Sequence, residues 1–258
     1  MSSSTLSHEL SGPSDGPVVA LGSSLGTTLE MWDPALAALS RRHRVLRFDH
    51  RGHGRSPLPE GPCEVADLGG DVLALLDRLG LERVSYVGVS LGGMVGVWLA
   101  AHAPERIERL VCVCSSAYLP PAEVWAARAA SVRGAHSVAV IADTVLERWF
   151  TPAYAEEHPD VMAWMNGMLC DCPAEGYAAC CGVIERLDLR GDLARITAPT
   201  LVIAAAEDPS TPPEHSATIA AGVPRARLEV LPHGAHLVAV ERPDEVTALI
   251  ERHLEGAR

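Results

Sequence analysis

The sequence has few aromatic residues, little positive charge and no long apolar run. Only 4% of its 258 residues are aromatic, so most of the core volume falls on Ala, Val, Leu and Ile. No segment approaches the roughly 18 consecutive apolar residues of a membrane-spanning helix. Lys and Arg together number 21 against 33 Asp and Glu, which gives a formal net charge of −12. This balance argues against nucleic acid or an anionic membrane as a partner.

The N-terminus and the cysteines narrow the class of protein further. Residues 1–5 include no cation, so the sequence predicts no secretory leader and a cytoplasmic location. The 7 cysteines are an odd set, and close neighbours in the chain make poor disulfide partners for each other. Because their spacing also lacks the matching pairs of a zinc site, free thiols, no metal and no cofactor are predicted. The close pairs are Cys112/Cys114, Cys170/Cys172 and Cys180/Cys181.

Short apolar runs alternate with amphipathic helical patterns over most of the chain. A length of 258 residues suits one large domain with an insertion. The alternation predicts an α/β fold in which a mostly parallel, doubly wound sheet is covered by helices on both faces. Helices are predicted at 32–40, 65–79, 91–103 and 243–254, and strands at 5–10, 18–21, 44–48, 84–87, 110–114, 200–204 and 227–231.

The alternation stops between residues 120 and 186. This stretch shows only helical periodicity and turns, with helices predicted at Glu123–Arg133, Val138–Phe150 and Pro173–Leu187. An all-helical insertion between two sheet-forming parts is typical of a cap that excludes water and shapes a pocket. The sequence therefore predicts a core made of residues 1–119 and 187–258, with a helical cap at 120–186.

The run Gly88-Val89-Ser90-Leu91-Gly92 lies between a β-branched strand pattern and a helical pattern. A side chain at such a corner projects from both elements into the cleft above the sheet, and the glycines leave room for the tight backbone turn. The pentapeptide alone is a weak pattern, but the strand before it and the helix after it make it specific. The sequence therefore predicts the nucleophile elbow of an α/β-hydrolase, with Ser90 as nucleophile.

A serine nucleophile needs a base within hydrogen-bond reach and a carboxylate that orients the base. In this fold the chain order is serine, acid, histidine. The acid is expected on the loop after the next-to-last strand, where Asp208 is preferred over Glu207 because it directly precedes a proline and a helix start. The base is expected after the last strand, where His236 is preferred over His233 because it begins a His-Leu-x-x-x-Glu-x-Pro pattern. The alternative is that both histidines lie in a surface loop.

Two backbone N–H groups are needed to hold the oxyanion of an acyl-transfer intermediate. Leu91 follows the nucleophile at a helix N-terminus and supplies the first. Leu25, on the loop after the second strand, is predicted to supply the other. Many hydrolases have His-Gly on this loop where the present chain has Ser23-Ser24, a departure that keeps the backbone donor and points to a particular subgroup.

Several strings together make the chain similar to the bacterial 3-oxoadipate enol-lactonases of aromatic catabolism. The likeness covers nearly the whole chain, and its most selective parts are the Ser-Leu-Gly-Thr loop and the Arg-Trp-Phe-Thr-Pro string of the cap. The Arg-Gly-His-Gly-x-Ser loop is common among hydrolases, so His50 and His53 are expected to be structural. The strings are Gly22–Thr27, Met31–Asp33, Val45–Asp49, Arg51–Gly54, the Ser90 elbow, Glu147–Pro152 and Gly176–Cys181.

The resemblance implies that the substrate is a five-membered enol-lactone with an acetate side chain. Ser90 would open the ring to give 3-oxoadipate through an acyl-enzyme, with His236 as base. An anionic substrate in an acidic protein needs a local cation, and Arg133 at the end of the first cap helix is preferred. Its rivals are Arg128 and Arg148, while Ser24 and Trp149 are expected to line the pocket.

Other functions keep much of this pattern. A carboxylesterase or a cofactor-free perhydrolase would use the same serine, and a ligand-binding module could use the same scaffold without catalysis. A binding module would usually have lost a member of the triad, whereas all three candidates are present. The predicted partner is a small anionic lactone, and the sequence does not indicate an oligomeric state.

Overall fold

A single seven-stranded sheet forms the centre of the computed structural model, which describes residues 5–256. The strands are β1 His8–Ser11, β2 Val18–Gly22, β3 Arg44–Phe48, β4 Val84–Val89, β5 Ile107–Val113, β6 Thr200–Ala205 and β7 Arg227–Leu231. Their spatial order is β1-β3-β2-β4-β5-β6-β7. Only β1 is antiparallel to its neighbour, β3, and every other pair in the described chain is parallel. The predicted mostly parallel sheet is confirmed.

Helices cover this sheet and fill the connection between β5 and β6. None of the described helices is both long and apolar enough to cross a membrane. They are α1 Asp33–Leu39, α2 Val65–Arg78, α3 Leu91–His102, α4 Ala122–Ala135, α5 Ala142–Trp149, α6 Pro152–Glu157, α7 Pro159–Cys170, α8 Ala174–Arg186, α9 Pro213–Gly222, α10 Val238–Glu241 and α11 Pro243–Leu254.

The strand boundaries differ from the predicted ones where polar residues lie inside a strand or pairing starts late. β5 begins at Ile107, three residues earlier than predicted. Its second and third residues, Glu108 and Arg109, are polar, so an apolar pattern does not reveal the start of the strand. β1 begins at His8 instead of Thr5, where its pairing with β3 begins. The central strand β4 is buried along its whole length, which explains why its apolar pattern predicts it well.

Five helices, α4 to α8, form the cap between β5 and β6, and α4 packs against α8. The predicted helix at 138–150 is wrong in its first part, because residues 138–141 form a 3₁₀ turn before α5. Helices α6 and α7 escaped prediction, although each begins at a proline, the residue favoured at a helix start. With 6 residues α6 is too short for a clear period, whereas length does not explain why α7, with 12 residues, was missed. The division of the chain at residues 119 and 186 stays a prediction.

Candidate active site

Ser90 lies at the sharp turn between β4 and α3. Its backbone has φ 53° and ψ −113°, a strained conformation for a residue with a side chain. A Cβ atom at Gly88 would collide with the backbone of Gly92, and one at Gly92 would collide with the backbone of Gly22. The Ser90 N–H donates to the carbonyl of Val113 at 2.9 Å, which ties the turn to β5. The elbow therefore requires glycine on both sides of the serine.

The three residues predicted as a triad are in hydrogen-bond contact. His236 Nε2 lies 2.9 Å from Ser90 Oγ, and His236 Nδ1 lies 2.9 Å from Asp208 Oδ2. The exposed fractions of Ser90, His236 and Asp208 are 6%, 4% and 3%, so the contacts are shielded from bulk water. A nucleophile, a base and an orienting carboxylate in this geometry can perform acyl transfer.

Asp208 is held by its own loop as well as by His236. Its Oδ1 accepts N–H bonds from Ser210 at 2.7 Å and Thr211 at 3.0 Å, and its Oδ2 accepts the Thr211 hydroxyl at 2.7 Å. Burial raises the pKa of Asp208, but His236 and the Thr211 hydrogen bonds outweigh it and lower the pKa to about 2. The carboxylate is therefore ionised at neutral pH. It fixes the His236 tautomer with hydrogen on Nδ1, which leaves Nε2 free to accept the Ser90 proton.

The rejected candidates for acid and base lie at the surface. Glu207 and His233 are both exposed, and Glu207 Oε1 lies 3.6 Å from His233 Nδ1. Neither contacts Ser90. The position of the acid directly before Pro209 and the start of the His-Leu-x-x-x-Glu-x-Pro pattern were therefore the informative sequence signals.

Two backbone N–H groups beside Ser90 have no hydrogen-bond acceptor in the described chain. Ser24 and Gly26 donate to Met31 Sδ and His53 Nε2, which leaves the N–H of Leu25 between them. Ser90 and Gly92 donate to the carbonyls of Val113 and Ser23, which leaves the N–H of Leu91. Both leucines are buried, and Leu25 lines the cleft together with Ser90. These groups fit an oxyanion hole.

The two loop histidines support the loop that carries Leu25. His53 Nε2 accepts the N–H of Gly26 at 3.0 Å, and burial lowers the pKa of His53 to about 4, so the ring is neutral and able to accept. His50 is buried beside the backbone of Ser23, and burial together with the nearby His53 lowers its pKa to about 3. Both rings lie outside the lining of the cleft.

The cleft above Ser90 and the solvent at its mouth together make up about 410 Å³ of empty space. Ser24 and Trp149 line it, where the sequence predicts them. Its lining includes two arginines, Arg128 and Arg148, and among the described residues it includes no Asp or Glu. In a chain with a net charge of −12, this is a local reversal of sign that suits an anionic ligand.

The structure does not support Arg133 as the residue that binds a substrate carboxylate. Its side chain is 47% exposed and pairs with Glu175, with an Nη2–Oε1 distance of 2.7 Å, outside the lining of the cleft. Arg128 and Arg133 are five residues apart on α4, which turns their side chains about 140° away from each other. The helix therefore directs Arg128 into the cleft and Arg133 towards α8.

Arg128 is the better-placed cation. Its guanidinium lies 4.8 Å from the centroid of the Trp125 ring, and it interacts with the Tyr177 hydroxyl. Among the described residues no carboxylate forms an ion pair with it. Arg148 is exposed, and its Nη1 donates to the carbonyl of Pro209 at 3.2 Å. The half-buried Arg128 thus presents an unneutralised charge to the cleft.

Comparison with known proteins identifies the family. The profile of the alpha/beta hydrolase fold matches residues 16–133. The 3-oxoadipate enol-lactonase 2 of Acinetobacter baylyi is 37% identical over 246 residues, which cover 95% of this chain and 91% of that protein. The enol-lactonase of Burkholderia xenovorans LB400 is 38% identical with a TM-score of 0.94, over 97% of this chain and 96% of that one. This chain belongs to the 3-oxoadipate enol-lactonase family of the α/β-hydrolases.

Other relatives of this enol-lactonase family member carry different names. A hydrolase from Pseudomonas aeruginosa PA01 is 46% identical with a TM-score of 0.93, over 96% of this chain and 94% of that one. A RutD protein of Variovorax paradoxus, whose name gives carbamate hydrolysis as its activity, is 35% identical over 91% of this chain and 90% of its own length. Together the relatives and the fold show that the chain is a hydrolase with the α/β-hydrolase fold.

Two contributors to the site were missed by sequence reasoning. The Thr211 hydroxyl contacts both Asp208 and, at 3.3 Å, His236 Nδ1. A threonine three residues after the acid was an available signal, since hydroxyl side chains near Asp commonly close such turns. Trp125 supports Arg128, but an aromatic residue within a helix has no motif that could have identified it.

Proposed function

We propose that this protein is a serine hydrolase that opens the ring of 3-oxoadipate enol-lactone to give 3-oxoadipate. The observation that carries the proposal is the cleft above Ser90, which is lined by two arginines and, among the described residues, by no carboxylate. Enol-lactonase names among relatives and solved structures support the same substrate class.

The first half of the reaction forms an acyl-enzyme. Ser90 Oγ attacks the ring carbonyl carbon while its proton passes to His236 Nε2, 2.9 Å away. The N–H groups of Leu25 and Leu91 hold the resulting oxyanion. When the intermediate collapses, the ring C–O bond breaks and its electron pair leaves as an enolate, which is a better leaving group than an alkoxide. His236 returns the proton, and the enol becomes the ketone.

The second half releases the product with the same residues. A water molecule gives a proton to His236 as it attacks the ester carbonyl, and the C–O bond to Ser90 then breaks. His236 returns its proton to Ser90 Oγ, and 3-oxoadipate leaves. In both halves the ionised Asp208 stabilises the imidazolium form of His236.

Recognition of the substrate's carboxylate is assigned to the cap at residues 120–186. Arg128 is half-buried and has no carboxylate partner in the described chain, so a charge-assisted hydrogen bond to a bound anion would be strong there. Arg148, nearer to solvent, would guide the anion into the cleft, and Trp149 would pack against the ring.

A substrate panel tests the proposal. The purified enzyme is assayed with freshly generated 3-oxoadipate enol-lactone, with a neutral p-nitrophenyl ester and with a small carbamate, and kcat/KM is compared. We expect a preference of about 10- to 100-fold for the lactone over the neutral ester, the size of one charge-assisted hydrogen bond. A preference for the neutral ester would show a general carboxylesterase, and a preference for the carbamate would place the enzyme with its RutD relatives.

A second assay separates catalysis from binding alone. A serine-directed fluorophosphonate should label the wild-type protein and fail to label Ser90→Ala. Absence of labelling in the wild type would favour a ligand-binding module.

A further inference from the structure

Two strings singled out in the sequence meet at the backbone of His236. One is the cap string 147–152, and the other is the His-Leu-x-x-x-Glu-x-Pro string that begins at His236. The N–H of Leu237 donates to the carbonyl of Trp149 at 2.9 Å, and the N–H of His236 donates to the carbonyl of Arg148 at 3.4 Å. The backbone of the candidate base is therefore hydrogen-bonded to two cap residues that line the cleft.

A buried carboxylate joins the same two strings. Glu241 ends α10 and is 7% exposed. Its Oε2 accepts the N–H of Ala235 at 2.9 Å and the N–H of Thr151 at 3.4 Å, and its Oε1 accepts the Thr151 hydroxyl. No Arg, Lys or His forms an ion pair with Glu241 in the described chain. These neutral donors are therefore the hydrogen-bond partners of a buried carboxyl group in the described chain, so the loss of any one of them leaves a buried acceptor less satisfied.

The loop held in this way is also hydrogen-bonded to the core, through the Gly234 carbonyl, which accepts the N–H of Glu207 at 3.2 Å, and through the His236 ring, which contacts Asp208. Gly234 has φ 117°, a conformation that only glycine adopts readily, and it marks the turn from β7 into the loop. The next three N–H groups, of Ala235, His236 and Leu237, all donate to the Glu241 carboxyl group or to backbone carbonyls of the cap. The His236 ring projects from the middle of this segment, so its place depends on these three backbone bonds as well as on the contact of its Nδ1 with Asp208.

We propose that Glu241 and Thr151 form a latch that positions His236 and fixes it to the cleft-lining part of the cap. Glu241 is a positioning residue, because it acts on the reaction through the His236 loop and does not line the cleft. This inference rests on the proposed role of His236 as base, and it does not depend on which ester or lactone is the substrate. It gives the glutamate of the His-Leu-x-x-x-Glu-x-Pro string and the threonine of the cap string a shared role.

The latch predicts an effect on chemistry more than on binding. A misplacement of about 1 Å in a catalytic group can cost on the order of 100-fold in rate. Glu241→Gln and Thr151→Val should therefore lower the maximal rate of Ser90 modification by about 10- to 100-fold. The half-saturating concentration of the reagent should stay within about twofold of wild type, because the cleft lining keeps its side chains. Thr151→Ser keeps the hydroxyl and should restore the rate.

The experiment measures saturation kinetics of fluorophosphonate labelling on the full-length protein and its variants. The matched control is Thr200→Val, which removes another buried hydroxyl hydrogen bond, from Thr200 Oγ1 to the carbonyl of Ala198 at 2.9 Å. Thr200 begins β6, at the end of the parallel sheet opposite to Ser90. This control should lower Tm as the latch variants do and leave the labelling rate unchanged. The low-field proton NMR signal of the His236–Asp208 hydrogen bond should shift in the latch variants only.

The outcomes separate the latch from the proposed function. If the wild type is not labelled, the proposed function fails and the latch fails with it. If the wild type is labelled and the latch variants react at its rate, or slow down no more than Thr200→Val at equal loss of Tm, only the latch is overturned. If Glu241→Gln does not fold, the pair Thr151→Val and Thr151→Ser decides, and equal rates in that pair would contradict the latch.

Discussion

The sheet loops and the cap build the same cleft in different ways. Two reacting side chains of the sheet loops are fixed locally: Ser90 by a strained elbow and Asp208 by donors from its own loop. The cap presents its charges on helix faces. Arg128 and Arg133 lie on one helix, yet one enters the cleft over Trp125 and the other pairs with Glu175 at the surface. The nucleophile and the acid are thus placed by local turns, whereas recognition depends on helix rotation and ion pairing.

The largest expected effect lies on the sheet side of this comparison. Asp208→Asn should lower kcat by about 10⁴-fold, because an amide can donate to Nδ1 and favours the wrong His236 tautomer. Steady-state hydrolysis of the lactone measures the loss. Glu207→Gln, at the exposed neighbouring residue, should keep the wild-type kcat. Similar losses in the two variants would contradict the assignment of the acid.

The next effect lies on the cap side. Arg128→Gln should raise KM for the anionic lactone by about 10- to 100-fold, the value of one charge-assisted hydrogen bond, and leave kinetics on a neutral ester unchanged. The matched variant Arg133→Gln removes an exposed ion pair and should leave both KM values unchanged. If Arg133→Gln raised KM for the lactone and Arg128→Gln did not, the comparison of the two helix faces would fail.

The smallest expected effect concerns how the stability of the protein depends on pH through His53, which supports the loop that carries Leu25. The pKa of His53 is about 4 when folded against an ordinary value of 6.5, so the unfolded chain binds its proton first as the pH falls. The contribution of the neutral His53 ring to the free energy of unfolding is complete above pH 6.5 and is lost as the pH falls from 6.5 to about 4. At pH 5.5 the loss from His53 is about 1.4 kcal/mol.

Urea unfolding at pH 7.5 and 5.5 measures this loss. In His53→Asn the difference between the two free energies of unfolding should be smaller than in wild type by about 1.4 kcal/mol. His233→Asn, at an exposed position, is the matched control and should keep the wild-type difference. An unchanged difference in His53→Asn would contradict a buried neutral ring at this position.

The parts that the sequence predicted are those governed by local rules. The elbow follows from glycines around Ser90, and the choice of Asp208 and His236 follows from chain order and from the prolines and motifs beside them. The cap charges could not be assigned in this way. Whether an arginine of α4 reaches the cleft depends on the rotation of the helix and on Glu175, 42 residues from Arg133. The 3₁₀ turn before α5 likewise depends on packing that no period reveals.

Opening of an enol-lactone by the Ser90–His236–Asp208 arrangement is tested by the loss of absorbance of freshly generated 3-oxoadipate enol-lactone, with the wild type and with His236→Ala at equal concentration. Rapid loss is expected with the wild type and only the uncatalysed rate with His236→Ala, because Ser90 then lacks its base. Equal rates for the two proteins would contradict it.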